Sequence, residues 1–214
     1  MNPHVPASPS QPVACDLESV IAIRELKQRH SRPPNRNLEN QTELELAREL
    51  AKSPHDFFQK LVDAVLVLSL ADSAGISLLD EKNSRFVWPA VAGGLSPYLW
   101  EGTPSGFGPC GTVLERDQPV LFIHPERYFT YLAPIQPALE EVLLIPFHID
   151  HKPVGTLWAV IHTPDKKFQP EDQRLLTNLT TFAAAAYKVL AAVGAIEPLL
   201  GKKGLTEAPS AQSA

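Results

Sequence analysis

Cysteine is scarce in this sequence: the 214 residues include only Cys15 and Cys110. The two lie 95 positions apart and neither belongs to a C-x-x-C pair, so a disulfide framework and a cysteine-rich zinc module are both excluded. No run of about 18 apolar residues indicates a membrane span. The N-terminus also lacks the basic start and apolar core of a secretory signal. We therefore expect a cytoplasmic protein with free thiols.

Positive charge is not in excess either, since the formal net charge is −5. Nucleic-acid binding needs a basic footprint, so we expect no nucleic acid as a partner, and no membrane. The glycine-rich stretch "VAGGLSP" lacks the Lys-Ser/Thr pair of a phosphate-binding loop. What remains is an ordinary globular composition, with 44% hydrophobic and 20% charged residues.

Proline, in contrast, is abundant, with 21 residues, and its placement marks boundaries. The Pro/Ser/Ala-rich start predicts a disordered tail over residues 1–15, and the polar C-terminus predicts another over 194–214. Residues 16–40 read as a helix, expected over 16–30 with Asp16 as its N-cap, followed by a linker. The domain itself is expected over 41–193.

Within that domain the hydrophobic period changes from helical to alternating and back. The pattern predicts helices over 42–52, from Ser53 to about Leu70, and from Pro170 onward, with a short helix after Gly108. Between them it predicts the strands "AGISLLD", "RFVWPAVAG", "PVLFI", "ALEEVLLIPFHID" and "PVGTLWAVIH". The order indicates an α+β fold, an antiparallel sheet with its helices packed on one face.

The stretches "GPCGTVLERDQPVLF" and "EEVLLIPFHIDHKPVGTLWAVIH", followed by F-x-x-E-D and an apolar helix, resemble a GAF domain. The similarity covers residues 42–190. It implies a small-molecule pocket on the sheet face opposite the helices, roofed by residues 95–137, as in GAF/PAS-like folds. It also implies dimerisation through the terminal helices. The sequence is similar to GAF modules of bacterial sensor histidine kinases, which implies signal transduction in a two-component system, with a histidine kinase or regulator as partner.

Cys110 has three interpretations. A thiol at a helix N-terminus has its pKa lowered by the helix dipole, and "GPCG" is similar to the turn of the free methionine-(R)-sulfoxide reductases within the GAF family. That chemistry needs further cysteines around the pocket, and residues 122–146 contain none. Bilin-bearing GAF domains typically have a Cys-His pair, which is absent here. The third interpretation, a small residue in a crowded turn, is preferred.

The resemblance makes seven residues pocket candidates: Trp88, Phe107, Cys110, His124, Arg127, Tyr128 and Tyr131. Arg127 could fix an anionic ligand beside the two tyrosines. Alternatively, Tyr128, Phe129 and Tyr131 fill the pocket themselves, and this interpretation is favoured.

No metal site is predicted, because the histidines lie on separate strands and turns. With Ile149 paired with Val154 across the predicted hairpin, Phe147 lies opposite Thr156 and Ile145 opposite Trp158. The same register puts His162 on the face of Phe147. No cofactor can be named from the sequence.

We therefore expect a non-catalytic sensory or regulatory domain that binds a small molecule or a partner. The alternative is a methionine sulfoxide reductase that uses Cys110. A third hypothesis is a partner-binding module that makes contact through the helix at residues 16–30.

Overall fold

A five-stranded antiparallel sheet forms the centre of the protein. The computed structural model describes residues 15–202. The strands are β1 (Ser73–Asp80), β2 (Arg85–Gly93), β3 (Val120–Ile123), β4 (Glu141–Ile149) and β5 (Lys152–Ile161). Their order across the sheet is β2-β1-β5-β4-β3, and every neighbouring pair is antiparallel. The predicted α+β architecture is confirmed.

Six α-helices accompany this sheet in the described residues: α1 (Ile23–Gln28), α2 (Arg36–Lys52), α3 (Phe57–Leu68), α4 (Pro109–Arg116), α5 (Pro170–Ala192) and α6 (Ile196–Leu200). Helices α3 and α5 contact the sheet and each other, and α2 contacts both of them. The buried side chains between these helices and the sheet are called the helix-face core, and include Phe58, Leu61, Ile76, Ile145, Leu157 and Leu179.

Helix α5 is the one described helix that is long and apolar enough to cross a membrane. Its composition has a simpler explanation, because its apolar side chains complete the helix-face core. The buried ones are Leu176, Leu179, Ala183, Ala186 and Leu190. The small alanines allow the helix axis to approach the sheet closely. Helix α5 is therefore a core element of this domain.

The segment before α2 differs from the single helix predicted over residues 16–30. A 3₁₀ turn (Leu17–Val20) and the short α1 flank Ile21, which forms a β-bridge with Phe122. The Ala22 N–H donates to the Leu121 carbonyl at 2.8 Å. The chain is drawn into extended form here because it pairs with edge strand β3. Asp16 makes no capping hydrogen bond through its side chain.

Two buried carboxylates tie this segment to the domain. Arg29 donates to both oxygens of Glu141, at 2.9 and 2.7 Å, and Glu141 is only 1% exposed. Asp172, at the start of α5, accepts from Arg32 at 2.6 Å and from the Gln169 N–H at 2.8 Å. Arg29 and Ile21 thus engage part of residues 16–30, the segment through which the third hypothesis expects a partner to bind.

Two predicted boundaries need correction. Helix α2 begins at Arg36 rather than residue 42, because the Asn35 side chain caps it by accepting from the Leu38 N–H at 3.2 Å. The C-terminal tail predicted from residue 194 begins instead with α6, whose Ile196 is buried in the helix-face core. The remainder of the two predicted tails, residues 1–14 and 203–214, lies outside the described residues.

The register predicted for the central hairpin is wrong, by two residues at Ile149 and by one residue at Phe147 and Ile145. Ile149 pairs with Lys152, Phe147 with Gly155 and Ile145 with Leu157. Both turn residues, Asp150 and His151, have positive φ, as a two-residue hairpin turn requires. The turn is thus shorter than the four-residue connection assumed from sequence. A bulge after Phe147 also contributes to the shift, and the register removes the argument that set His162 on the face of Phe147.

Candidate functional site

The second face of the sheet carries its own core and a small cavity. We call the buried side chains on this face, which include Val20, Trp88, Leu95, Cys110, Phe122, Phe129, Leu144 and Trp158, the cavity-face core. Helix α4 and the irregular segments between β2 and β4 cover it. The cavity measures about 50 Å³ and is bordered by Trp88, Thr103, Cys110, Leu132, Val142 and Trp158, with further apolar side chains.

Trp158 forms much of the cavity floor because a glycine stands opposite it. Gly75 pairs with Trp158 across β1 and β5, and a Cβ at Gly75 would lie 2.1 Å from the indole ring. The ring can therefore lie directly on the neighbouring backbone. Its Nε1–H donates to Ser77 Oγ at 3.0 Å, and Trp88 meets its ring edge-to-face at a centroid distance of 5.4 Å.

Cys110 lies in the first turn of α4, with Pro109 beginning the helix. The thiol donates to Ser77 Oγ at 3.3 Å and accepts from the Thr156 hydroxyl at 3.6 Å. Burial raises the pKa of the Cys110 thiol, against the smaller lowering effect of these hydrogen bonds. The prediction that the helix dipole lowers the pKa of Cys110 is therefore wrong, because desolvation outweighs the dipole.

The turn around Cys110 also explains why its neighbour is glycine. A Cβ at Gly111 would lie 2.1 Å from the Ser105 carbonyl oxygen, so no larger residue fits without movement of the backbone. The "GPCG" sequence is accounted for by this close approach and by the buried thiol. Such a turn supports the interpretation of Cys110 as a small residue in a crowded place.

An aromatic cluster forms the outer part of the roof. The Phe107 ring lies 5.2 Å from Phe129, 5.6 Å from Tyr128 and 6.1 Å from Tyr131, measured between centroids. Phe129 is 1% exposed and also contacts Phe122 at 5.9 Å, whereas Phe107 remains 47% exposed. Burial raises the pKa of the Tyr131 phenol above its usual range. These rings occupy space that an open pocket would leave free.

The structure brings two of the seven candidate residues to the cavity, Trp88 and Cys110. The other five lie outside its lining: Phe107, His124, Arg127, Tyr128 and Tyr131. Arg127 is exposed, and His124 lies within 3.3 Å of Glu126 and 3.4 Å of Glu140. An anion held by Arg127 would therefore sit at the surface, away from the two tryptophans.

Most of the cavity lining escaped the sequence reasoning. Leu144 and Val142 of β4, and Val160 of β5, face the cavity because they alternate with the residues of the helix-face core. Both strands are buried on two faces, so they read as continuous apolar runs with no visible alternation. Leu132 and Leu139 lie outside the strands and α-helices, where no hydrophobic period could have predicted which side chains face the cavity.

The described residues contain no group of three or more His, Cys, Asp or Glu side chains placed to hold a metal ion. His162 instead connects the beginning and the end of the segment that covers the cavity, near Leu95 and Ala138. Its ring nitrogens lie 2.7 Å from Ser73 Oγ and 2.7 Å from the Ala138 carbonyl oxygen. Ser73 Oγ in turn accepts from the Leu95 N–H at 3.0 Å.

A family model described as "GAF domain" matches residues 51–187, which is well over half of the chain. The chain belongs to the GAF domain family. Among solved structures, it is similar to the GAF domain of an Acinetobacter phosphoenolpyruvate-protein phosphotransferase, with 22% identity and a TM-score of 0.62 over 74% of this chain and 97% of the other. The search of curated protein sequences returned no match.

Two further structures show how widely this fold is used. A free methionine-R-sulfoxide reductase from Neisseria meningitidis has 15% identity and a TM-score of 0.62, covering 77% of this chain and 97% of the other. The GAF-B domain of DevS from Mycobacterium smegmatis has 18% identity and a TM-score of 0.54, covering 67% and 99%. At such identities the likeness establishes the fold, while the function must be argued from the site.

Proposed function

We propose that this GAF domain is a non-catalytic sensory module in signal transduction, with the Trp88–Trp158 cavity as its ligand site. One observation carries the proposal: the cavity is lined almost entirely by apolar and aromatic side chains. Ligand sites are typically concave and mostly apolar, and the lining here is apolar apart from the side chains of Thr103 and Cys110. The ligand is a small molecule held by burial rather than transformed.

The cavity wall has few titratable groups, which supports a non-catalytic role. Cys110 is the one residue with a titratable side chain among the described residues that line the cavity, and burial raises its pKa. A thiol attacks as the thiolate, so a raised pKa lowers its reactivity near neutral pH. General acid–base chemistry needs a group that titrates near the working pH, and this wall supplies none.

The signal would travel through the sheet, because its strands belong to both cores. On β5, Trp158 and Val160 face the cavity, whereas Leu157, Ala159 and Ile161 pack in the helix-face core. A ligand that moves Trp158 shifts the strand against α5. The bound state is favoured only to the extent that the ligand binds it more tightly than the free state.

The expected partners are a second copy of this chain, contacted through the terminal helices, and a histidine kinase or regulator of a bacterial two-component system. The expected location is the cytoplasm. These elements rest on the resemblance to sensory GAF domains. The exposed Val189 and Val193 near the end of α5 support a helix-mediated contact.

Native mass spectrometry of freshly purified protein tests the proposal. We expect extra mass that is lost on denaturation, and that mass identifies a ligand for titration. A ligand at 100 times its dissociation constant should stabilise the fold by about 2.7 kcal/mol, which a thermal melt detects readily. A protein with no extra mass and no stabilising metabolite in a broad melt screen would contradict the proposal.

The reductase remains a second candidate because a structure of that enzyme shares this fold. Its test is turnover of free methionine-R-sulfoxide by the wild-type protein and by Cys110→Ser, with Cys15→Ser as the matched control. We expect none of the three proteins to be active. Turnover that disappears only in Cys110→Ser would establish the enzyme and overturn the sensory proposal.

A further inference from the structure

Two exposed aromatic rings lie side by side on the outside of the roof. Phe107 and Tyr131 are the only exposed aromatic residues in the described part of the chain, at 47% and 37%. Their ring centroids are 6.1 Å apart, and the Tyr128 ring lies 5.6 Å from Phe107. Single exposed apolar side chains need no explanation, whereas a contiguous apolar group is typical of a binding surface. We call Phe107, Tyr128 and Tyr131 the ring surface.

The rings of this surface are held in place from below. Phe107 meets the buried Phe129 edge-to-face at a centroid distance of 5.2 Å, and Tyr128 meets it at 4.9 Å. The Tyr131 hydroxyl fits beside Gly108, where a Cβ would lie only 2.6 Å from it. Because the rings are already fixed, a partner that packs on them binds with little loss of side-chain entropy.

The sequence contains a segment with the pattern that aromatic surfaces bind. Proline stands at every third position in Pro3, Pro6, Pro9 and Pro12. A polyproline II helix has three residues per turn, so prolines with this spacing share one face. Proline-rich segments of this kind bind to aromatic-lined surfaces at a low cost in entropy. Residues 1–14 also contain no Asp, Glu, Lys or Arg, so no charge would have to be desolvated against the rings.

The residues that follow this segment lie close to the ring surface. Cys15 packs against the cavity-face core, on the side of the sheet that the roof covers. Glu18 forms an ion pair with Arg116 in the last turn of α4, and Phe107 lies just before the first turn of that helix. Helix α4 has 8 residues, which corresponds to about 12 Å, whereas residues 3–14 would span about 37 Å in polyproline II form. The segment is therefore long enough to reach the rings of its own chain.

We propose that the ring surface binds residues 3–12 of the same chain, with the prolines packed against the rings of Phe107, Tyr128 and Tyr131. A short tether gives the segment an effective concentration in the millimolar range. An interaction of modest intrinsic affinity is therefore sufficient to keep the segment bound. This interaction does not depend on a ligand in the cavity, so it stands or fails separately from the sensory function.

Paramagnetic broadening in ¹⁹F spectra tests this contact in the full chain. The chain has 4 tyrosines, so protein labelled with 3-fluorotyrosine gives four signals, which single Tyr→Phe variants assign. A nitroxide is attached at Ser8→Cys, between two of the prolines, in a Cys15→Ser background. Cys110 is buried and stays unlabelled in the native protein. Reduction of the nitroxide with ascorbate gives the reference spectrum.

The broadening is expected only on the side of the sheet that carries the ring surface. We expect the nitroxide to broaden the signals of Tyr128 and Tyr131 strongly. Tyr187 lies on α5 and its ring contacts Phe147 in the helix-face core, so its signal should remain sharp and serves as the internal control.

Two variants of the segment separate proline packing from mere proximity of a tethered label. The first removes the proline stripe while it keeps the length and charge of the segment: Pro3→Ala, Pro6→Ala, Pro9→Ala and Pro12→Ala. We expect it to lose most of the broadening. Ser10→Ala/Gln11→Ala changes two positions outside the stripe and should behave as the wild type does. Neither variant alters a residue of the folded domain.

A second pair of variants tests the ring surface itself. Phe107→Ala removes the central ring, and we expect it to lose the broadening of Tyr128 and Tyr131. Leu44→Ala truncates a side chain on α2 that is 52% exposed, and it should leave the broadening unchanged. A thermal melt of each variant shows whether the domain is intact, and the proline variant decides the question if Phe107→Ala is unfolded.

Three results would overturn the proposal. The first is the absence of broadening at both roof tyrosines, and the second is equal broadening in the wild type and the proline variant. The third comes from an equal mixture of fluorinated protein without nitroxide and nitroxide-labelled protein without fluorine. We expect sharp signals from this mixture. Broadening of the same size as within one chain would show that the segment binds a second copy instead.

Discussion

At the scale of single residues, the cavity depends on Gly75, which has no side chain to compete with the Trp158 ring. Gly75 lies beneath the Trp158 ring, and a Cβ added there would come within 2.1 Å of the ring. Gly75→Ala must therefore displace Trp158 from the cavity floor and weaken its hydrogen bond to Ser77. We expect a loss of about 1–3 kcal/mol in the free energy of unfolding, the usual cost of overpacking, measured by urea denaturation.

Gly106→Ala is the matched control for that substitution. No atom lies within 4 Å of a Cβ built at Gly106, which is exposed in the same roof. We expect its free energy of unfolding to change by less than about 0.5 kcal/mol. If the two variants lose stability equally, Trp158 does not depend on Gly75 in the way the structure indicates.

The two thiols provide a second residue-scale prediction. Burial raises the pKa of Cys110, so its thiolate fraction at pH 8 is below that of an ordinary cysteine. Burial also keeps reagents away from the Cys110 thiol. Cys15 is partly exposed. Under native conditions we expect iodoacetamide to modify Cys15 clearly faster than Cys110, because Cys110 is buried and the reacting form of a thiol is the thiolate.

Peptide mapping by mass spectrometry measures both rates. Unfolding in urea should make the two rates similar, which controls for local sequence effects. The Cys110 rate should rise as pH increases toward its raised pKa. Preferential native modification of Cys110 would show a reactive thiolate and would favour the enzyme hypothesis.

Residue-scale reasoning from sequence reached only part of the site. It found Trp88 and Cys110, because an aromatic residue on a strand and a cysteine between glycines are visible in isolation. It missed Ser77 and Thr156, the partners of the thiol, since their importance arises only when β1 and β5 are aligned. The sign of the Cys110 pKa shift was also missed, because burial is a property of the folded chain.

At the scale of elements, the segment containing α1 is held by a buried ion pair. Arg29 and Glu141 form two hydrogen bonds, and Glu141 also accepts from the Phe168 N–H at 2.9 Å. Arg29→Met leaves the Glu141 carboxylate buried without a countercharge. We expect the free energy of unfolding to fall by about 3–5 kcal/mol, measured by urea denaturation at pH 7.

Two controls distinguish the ion pair from general packing. Lys27→Met, at an exposed position of α1, should change stability by less than about 0.5 kcal/mol. The double variant Arg29→Met/Glu141→Gln should regain part of the loss, because a neutral amide replaces the unpaired charge and still accepts from Phe168. A double variant as unstable as the sum of both single variants would show that the two side chains are not coupled.

Elements themselves were largely predictable, since the apolar periods of α3, α5 and the five strands are strong. The hairpin register was not, because two positive-φ residues, Asp150 and His151, made a shorter turn than the sequence suggested. The path of residues 16–30 was missed for a related reason. The apolar residues there have a helical period, but the β-bridge between Ile21 and Phe122 interrupts the helix. Phe122 lies about a hundred residues further along the chain, so the local sequence does not reveal this pairing.

At the scale of the whole molecule, one sheet separates two cores that differ in packing. The helix-face core is filled by α3 and α5, whereas the cavity-face core retains a small cavity. A sensory domain needs such an asymmetry, because a ligand on one face must change what the other face presents. The helices are then the surface through which a second copy is expected to bind.

Two exposed valines on and just beyond α5 make this contact testable. Val189 is 38% exposed and Val193 is 66% exposed. If the terminal helices form a homodimer, charges at these positions place carboxylates in an apolar interface, which is costly unless they are paired. We expect the wild type to sediment as a dimer and Val189→Glu/Val193→Glu as a monomer at the same concentration, by analytical ultracentrifugation.

Thr177→Glu adds a carboxylate to an exposed position nearer the start of α5 and controls for charge alone. It should remain dimeric, and all three proteins should melt within a few degrees of each other once the dimer contribution is removed by dilution. A wild type that is monomeric up to 100 µM would remove the second copy as a partner. The shift from sheet to helices would then have to act on another protein, which leaves the kinase or regulator as the receiver of the signal.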